Sequence, residues 1–274
     1  MVLLSAIALS APLTGIHFLD NGQIRLGVDL DKGGSIVFLA KRQGPNLING
    51  ADLGRQIQMS FYSGPVPFTP NGKQPSQDWA GLGWNPIQTG DCYHNPSRTL
   101  AFKSDGKSLY LKCIPMQWPF DKEPGERTFE AWISLEGNTV RARNRLLNHR
   151  SDAAQYPARG QELPAIYTNG PWYRLMSYTG DRPFTHGPLS QLTKSPPEST
   201  FPWVTFPATE NWTALVDAAG WGVGIVEPGC QTMSAGFFGK PGFGGTLSSE
   251  TGYIAPNYTE LLKATPHRQA IRSR

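Results

Sequence analysis

The sequence predicts an all-β protein from three observations. Apolar and polar residues alternate over many short segments, tight-turn signals separate these segments, and no window of useful length has a helical period. The composition agrees, because 30 glycines and 24 prolines among 274 residues, with only 17% charged residues, are typical of a loop-rich β protein. Short strands at this spacing favour a β-sandwich or a barrel.

The first half of the chain contains two clear hairpin signals. Residues 20–22 (Asp-Asn-Gly) and 105–107 (Asp-Gly-Lys) each separate two alternating segments, as the turn of a hairpin does. Residues 52–62 are ambiguous, since a four-residue spacing of apolar side chains fits a helix and a two-residue alternation fits a strand. The alternation favours a strand there.

The clearest strand pattern lies in the second half, at residues 139–147. Val140, Ala142, Asn144 and Leu146 alternate with three arginines, which is the period of a strand with one buried face. The preceding strand, 129–136, reaches it through a Gly-Asn turn, and a further hairpin crosses residues 217–220. After residue 148 the pattern stops, and residues 156–173 are interpreted as a loop rich in ionisable and aromatic side chains.

No internal repeat and no linker divides the chain, so one domain is predicted over residues 12–265. Residues 1–11 are apolar and small, and fit either the remnant of a signal peptide or a first strand. Residues 266–274 form a basic C-terminal tail. These features favour a secreted or periplasmic protein, and no apolar run reaches the length that crosses a membrane.

The charge and the cysteines exclude several classes of partner. A net charge of +4 with dispersed basic residues does not predict nucleic-acid binding. No spacing of His, Cys, Asp or Glu specifies a metal site and no phosphate loop occurs, so neither a metal nor a cofactor is expected. Cys92 and Cys113 would form a disulfide in an exported protein, leaving Cys230 free, or all three are ordinary buried thiols.

Two short motifs resemble a known family. Residues 33–36 (Gly-Gly-Ser-Ile), followed by a strand and by residues 44–49 (Gly-Pro-Asn-Leu-Ile-Asn), look like the opening of galactose-mutarotase-like proteins. The strand that ends at His149 is similar to the one that delivers an active-site histidine in aldose epimerases. The resemblance implies a large antiparallel β-supersandwich that handles carbohydrate, and a role for His149. The family's late glutamate motif has only loose counterparts here, at Glu227 and Glu250.

The reaction stays open, because the supersandwich also occurs in glycoside hydrolases, polysaccharide lyases and non-catalytic modules. Glu162 is the best catalytic carboxylate, since its apolar neighbours in sequence predict partial burial, which would raise its pKa toward that of a general acid. Arg159 would lower that pKa, and a structural Arg159–Glu162 pair is the alternative. Asp91 is the predicted second carboxylate, although a solvated turn would also account for it.

A second region, residues 55–94, is a long irregular segment with Trp79 and Trp84, which form either a platform for sugar rings or a plug at the end of the sandwich. The leading hypothesis is a glycoside hydrolase with Glu162, Asp91 and His149 as catalytic residues. The predicted substrate-binding residues are Arg55, Tyr62, Trp79, Trp84, His94, Arg159, Tyr167, Trp172, Tyr173 and His186.

Three alternatives remain at the level of sequence. A lyase on an acidic glycan would use Tyr167 or Tyr173 as its base, and a sugar epimerase would interconvert anomers without cleavage. A non-catalytic module would bind glycans through Trp79, Trp84 and Trp172. All four hypotheses have a carbohydrate as the partner, and the oligomeric state is not predicted.

Overall fold

The computed structural model describes residues 13–152, 154–192, 202–260 and 268–269. These residues contain three short 3-10 helices, over Leu30–Lys32, Pro70–Gly72 and Gln77–Leu82. The first ten strands are β1 (Ile16–Asp20), β2 (Ile24–Asp29), β3 (Ser35–Lys41), β4 (Ile57–Ser60), β5 (Pro86–Ile87), β6 (Arg98–Ser104), β7 (Ser108–Ile114), β8 (Met116–Gln117), β9 (Arg127–Glu136) and β10 (Thr139–Asn148). The others are β11 (Arg159–Asn169), β12 (Arg174–Ser177), β13 (Ser190–Leu192), β14 (Trp203–Pro207), β15 (Trp212–Val216), β16 (Gly222–Val226), β17 (Thr232–Phe238), β18 (Thr251–Glu260) and β19 (Arg268–Gln269).

The strands form three antiparallel sheets. The large sheet has ten strands, with the order β1-β2-β3-β4-β11-β18-β17-β14, with β5 paired to β4 and β8 paired to β5. The second sheet has five strands, in the order β19-β10-β9-β7-β6, and the third has four, in the order β13-β12-β15-β16. The all-β prediction is therefore confirmed.

One hydrophobic core joins the three sheets. Leu26 and Leu163 enter it from the large sheet, Leu111 and Leu146 from the five-stranded sheet, and Leu215 from the small sheet. Each of these side chains is at most 1% exposed. The large and five-stranded sheets thus pack through their inner faces, and each keeps an outer face that points away from the core.

The predicted hairpins are confirmed. β1 pairs with β2 across residues 20–22, β6 with β7 across 105–107, β9 with β10 across the Gly-Asn turn, and β15 with β16 across 217–220. In β10 the side chains of Asn144, Leu146 and Asn148 are buried while those between them are more exposed, as the alternation predicts. Residues 57–60 within the ambiguous segment are a strand, as favoured.

The interpretation of residues 156–173 as a loop is corrected in part. Arg159–Asn169 is strand β11, which lies between β4 and β18 in the large sheet. The sequence pattern hides it because the register shifts between Glu162 and Ile166, around Pro164. That irregularity interrupts the two-residue alternation on which the strand prediction depends.

Two predictions concern the termini. Residues 1–11 lie outside the described residues, and of the basic tail only Arg268–Gln269 is described, as β19 paired with β10. No helix of the described ranges is long and apolar enough to cross a membrane.

The cysteines are separate thiols. Cys113 is buried in the main core, whereas Cys92 packs against a different cluster formed by Leu53, Ile87 and Trp118. The Cys92–Cys113 disulfide that export would allow is therefore not formed here.

Candidate functional site

The candidate site lies on the outer face of the large sheet, around Glu162 of β11. Leu163 and Ile166 of this strand enter the core. Glu162 lies directly opposite Ser60 of β4 and Asn257 of β18, so the three side chains share one face. The carboxyl is therefore fixed near the start of a middle strand of the sheet.

Tyr62, the second residue after β4, is held beside Glu162 by a side chain that replaces a strand partner. The amide of Gln161 accepts from the backbone nitrogen of Tyr62 at 2.8 Å and donates to its carbonyl oxygen at 2.8 Å. These two bonds continue the ladder one step beyond the last residue of β4. Because Gln161 is fully buried, the position of Tyr62 is well determined.

Three aromatic rings form the other end of the site. Tyr167 lies opposite Tyr253 with their ring centroids 5.0 Å apart, and Trp203 of β14 lies 4.8 Å from Tyr253. Gly236 stands between Tyr253 and Trp203 in the row of paired residues. A Cβ atom at that glycine would be 3.0 Å from the Trp203 ring, so the absence of a side chain there allows the two rings to meet.

Small and polar residues lie between the carboxyl and the aromatic rings. Ala165 and Ala255 are fully buried against Tyr253. The Ser234 hydroxyl contacts the Thr205 hydroxyl at 3.1 Å and accepts from the Asn257 amide nitrogen at 2.9 Å. The face thus combines aromatic rings, hydroxyl and amide groups and one carboxyl, which is the mixture that binds a sugar by stacking and hydrogen bonds.

Burial dominates the electrostatics of this group. Burial raises the pKa of Glu162 above its ordinary value, while the hydroxyls of Tyr253 and Tyr62, which face the carboxyl, lower it in turn. Burial and then the charge of Glu162 raise the pKa of Tyr62, Tyr167 and Tyr253. Glu162 therefore holds its proton to a higher pH than an exposed glutamate, and the tyrosines stay protonated as hydrogen-bond donors.

Arg159 does not neutralise Glu162. Its guanidinium donates to the carbonyl oxygens of Ser63 at 3.2 Å and Leu82 at 2.6 Å, and lies 5.8 Å from the Tyr62 ring. Within the described ranges no ion pair involves Glu162. The structural Arg159–Glu162 pair that the sequence left open is therefore absent.

Arg55 and Asp52 lie close enough to Tyr167 for their charges to act on its pKa. The Arg55 Nε atom lies 3.2 Å from Asp52 Oδ2, and its Nη1 atom donates to the carbonyl oxygen of Ser248 at 2.9 Å. Arg55 is thus near the site, with its charge balanced by Asp52.

Asp91 belongs to a different group of residues. It is 1% exposed, and its Oδ1 atom accepts from the backbone nitrogens of Tyr93 and Asn95, each at 2.9 Å. Its Oδ2 atom accepts from the backbone nitrogen of Lys122 at 2.9 Å. The carboxylate organises this turn, and the structure does not bring it together with Glu162 among the contacts of the described residues.

The three predicted histidines are exposed. His149 follows β10 in the five-stranded sheet, and its Nε2 atom lies 3.3 Å from the Thr128 hydroxyl. His94 and His186 occupy turns, with φ of 69° and 58°. Within the part of the chain that the structure describes, none of them contacts Glu162, Tyr62, Tyr167 or Tyr253.

Trp84 and Trp79 are also separated from Glu162. Trp84 is fully buried between the guanidiniums of Arg127, at 4.2 Å from its ring, and Arg150, at 5.1 Å. Its side chain fills the interior at the end of the sandwich, so its ring is not available to stack on a sugar. Trp79 is 40% exposed and contacts Trp118 edge-on at 5.7 Å.

Trp172 and Tyr173 follow β11 at the far end of the large sheet. Trp172 packs against Trp221 at 6.1 Å and lines a cavity of about 540 Å³. The Tyr173 ring contacts Phe237 at 6.2 Å. Of the sequence-predicted site residues, the structure groups Glu162, Tyr62 and Tyr167, with Arg159 and Arg55 at their edge.

Sequence reasoning missed Tyr253, Trp203 and Asn257. The signal for two of them is an alternation, in which Tyr253, Ala255 and Asn257 stand on one face of β18. No comparable signal exists for Trp203, because its approach to Tyr253 depends on Gly236 of another strand.

No protein-family model matches the chain, and no curated protein matches its sequence. A galactose mutarotase-like protein from Lactobacillus casei is similar in structure, with 11% identity, a TM-score of 0.49 and coverage of 89% of this chain and 87% of that one. A putative mutarotase from Salmonella typhimurium has 14% identity, a TM-score of 0.44 and coverage of 89% and 83%.

A 4-α-glucanotransferase from Thermococcus litoralis is also similar, with 12% identity and a TM-score of 0.45. The similarity covers 89% of this chain and 35% of that chain. Similarities with such low identities and TM-scores carry no argument about function. Function is therefore inferred from the residues around Glu162.

Proposed function

We propose that this protein binds a sugar on the outer face of the large sheet and that Glu162 transfers a proton to or from it, in a reaction of the aldose-epimerase type. The observation that carries the proposal is a single carboxyl with a raised pKa, set among protonated tyrosines and without a paired cation among the described residues. A pKa raised toward the working pH is what a group needs to both accept and donate a proton.

Anomer interconversion requires few groups. A base removes the proton of the anomeric hydroxyl, the bond between the anomeric carbon and the ring oxygen breaks, and the ring oxygen gains a proton. Ring closure on the other face then gives the second anomer. Glu162 has the chemistry for either proton transfer, and the hydroxyls of Tyr62 and Tyr253 would donate hydrogen bonds to the oxygen that gains negative charge.

Stacking on aromatic rings would orient the sugar relative to Glu162. The exposed parts of Tyr167 and Trp203 offer ring faces beside the carboxyl, and the hydroxyls of Thr205 and Ser234 suit the hydroxyls of a sugar. The raised pKa of Tyr167 also argues against a lyase in which this tyrosine is the base, since a base must first lose its proton.

Glycosidic cleavage is the second candidate. It needs a second carboxylate, and Asp52 is favoured over Asp91 because the charges of Asp52 and Glu162 both act on Tyr167. Asp52 would have to be released from Arg55 to serve as a nucleophile or base.

The test follows the optical rotation of freshly dissolved α-galactose and α-glucose, with proton NMR of the anomers as a second readout. The wild type should speed the approach to equilibrium, and Glu162→Gln should abolish that acceleration. Glu136→Gln is the matched control, because it makes the same chemical change on an exposed strand end of the five-stranded sheet. An active Glu162→Gln variant would refute the proposal.

Mass spectrometry of oligosaccharides incubated with the protein separates the two candidates. Unchanged masses accompany an epimerase, whereas fragments that have gained water would establish hydrolysis. In the second case Asp52→Asn should remove the activity and Asp91→Asn, if it folds, should retain it.

A further inference from the structure

The outer face of the five-stranded sheet carries a row of four side chains that the proposed reaction does not use. Arg143 of β10 lies opposite Trp132 of β9, Trp132 lies opposite Tyr110 of β7, and Tyr110 lies opposite Lys103 of β6. Residues directly opposite one another in a sheet share a face. From β10 to β6 the row therefore consists of a cation, two aromatic rings and a second cation. It spans about 14 Å across four strands.

The two rings lie next to each other. Their centroids are 5.3 Å apart with an interplanar angle of 44°. The Arg143 guanidinium lies 4.4 Å from the Trp132 ring centroid, which fixes this long side chain in place. Both rings are half-buried, and Arg143 and Lys103 are exposed.

The charges at the ends of the row are not neutralised by acids of the described chain. Neither Arg143 nor Lys103 takes part in an ion pair there, unlike Arg145, which pairs with Glu130, and Arg141, which pairs with Glu136. Glu130 also accepts a hydrogen bond from the Tyr110 hydroxyl at 2.7 Å. The neighbouring acids are therefore already occupied, and two cations remain for a ligand.

A cavity of about 760 Å³ covers this row, and it is also lined by Ser104, Ser108 and Ser134. Because the inner face of this sheet packs on the core that Leu163 enters from β11, the cavity and Glu162 lie on opposite outer faces of the sandwich. The row is thus a second surface, independent of the proposed reaction.

We propose that this row is a binding site for an acidic oligosaccharide whose uronate carboxylates lie on Arg143 and Lys103 and whose sugar rings stack on Trp132 and Tyr110. Guanidinium groups bind carboxylates through paired hydrogen bonds, and aromatic rings bind the apolar faces of sugars. The Ser134 hydroxyl, which also lines the cavity, suits a sugar hydroxyl.

Single-stranded nucleic acid is the other polymer that such a surface could attract. The geometry of the rings disfavours it, because two bases stacked on Trp132 and Tyr110 would have to lie at 44° to each other.

The experiment is isothermal titration of the full chain with tetragalacturonate and tetramannuronate, beside maltotetraose as the neutral sugar and an octamer of thymidylate. We expect binding of at least one uronate, weakened by salt, and little binding of maltotetraose. The Lys103→Gln/Arg143→Gln double variant should lower the affinity by about tenfold or more, since each lost charge-assisted contact is strong. Trp132→Ala should do the same if it folds.

The matched controls are Arg42→Gln, which removes an exposed charge elsewhere, and Trp79→Ala, which removes an exposed tryptophan elsewhere; both should bind as the wild type. Glu162→Gln should also bind normally, so this test is separate from that of the reaction. Failure to bind either uronate, binding unaffected by the double variant, or tighter binding of the thymidylate would each overturn the proposal.

Discussion

The two outer faces of the sandwich carry similar residue types but organise them in opposite ways. On the large sheet, a carboxyl and three tyrosines are packed together, and burial sets their pKa values. On the five-stranded sheet, cations and two rings stand in an open row, and the cations at its ends keep their exposure to solvent. Burial suits a group for proton transfer, whereas exposure leaves it free to attract a charged ligand.

The backbone explains the difference. β11 and β18 lie in the middle of the large sheet, and the rings of Tyr253 and Trp203 meet over Gly236 and cover this face. On β9 and β7, the Trp132 and Tyr110 rings are bordered by exposed cations rather than covered by further rings. The same sheet geometry therefore gives a tightly packed, half-buried group in one case and an open row in the other.

The largest expected effect is a complete separation of the two functions. Glu162→Gln should reduce anomer interconversion by about 100-fold or more, as loss of a general acid or base does, without changing uronate affinity. Lys103→Gln/Arg143→Gln should lower the uronate affinity by about tenfold or more without changing the rate of anomer interconversion. Measuring both activities on both variants checks this, and a variant that impairs both would contradict the independence of the faces.

A second prediction concerns Gly236. Gly236→Val should lower the free energy of unfolding by about 1–3 kcal/mol, because a Cβ would lie 2.2 Å from the Pro202 carbonyl oxygen and would push Trp203 from Tyr253. Ser134→Val, on the open face of the other sheet, is the matched change and should stay within about 0.5 kcal/mol. Urea denaturation of both variants measures the difference, and equal values would show that the aromatic contact is not constrained.

A third prediction is a pH dependence at Glu162. Its pKa is raised in the folded protein, so between the ordinary glutamate pKa and the raised value the folded state binds more protons than the unfolded state. Stability contributed by this group is therefore full below that window and falls as pH rises through it. Glu162→Gln should flatten the dependence, which urea denaturation at a series of pH values detects. An unchanged slope would argue against a raised pKa.

The smallest expected effect is on the stability of the open face. Lys103→Gln/Arg143→Gln should change the free energy of unfolding by no more than about 0.5 kcal/mol, because both side chains are exposed and form no ion pair within the described ranges. Thermal denaturation checks this. A large loss would mean that the row stabilises the sheet instead of being available for a ligand.

The sequence by itself determined the all-β class and the hairpins, because two-residue alternation and Gly-containing turns are local signals. It also pointed to Glu162 as a candidate, since the apolar residues beside it in the chain predict partial burial, and the side chain is half-buried in the structure. The sequence also predicted Asp91 as the second carboxylate beside Glu162, but no local pattern indicates whether two distant residues meet. In the structure the Asp91 carboxylate accepts hydrogen bonds from the backbone of its own turn.

Only the tertiary structure decided which side chains share a face. The row of Arg143, Trp132, Tyr110 and Lys103 depends on the register of four strands, and the contact of Tyr253 with Trp203 depends on a glycine in a third strand. Strand register is fixed by pairing between segments distant in sequence, so no single segment contains it. Local pattern thus determined the strands, and pairing between them determined which side chains share each outer face.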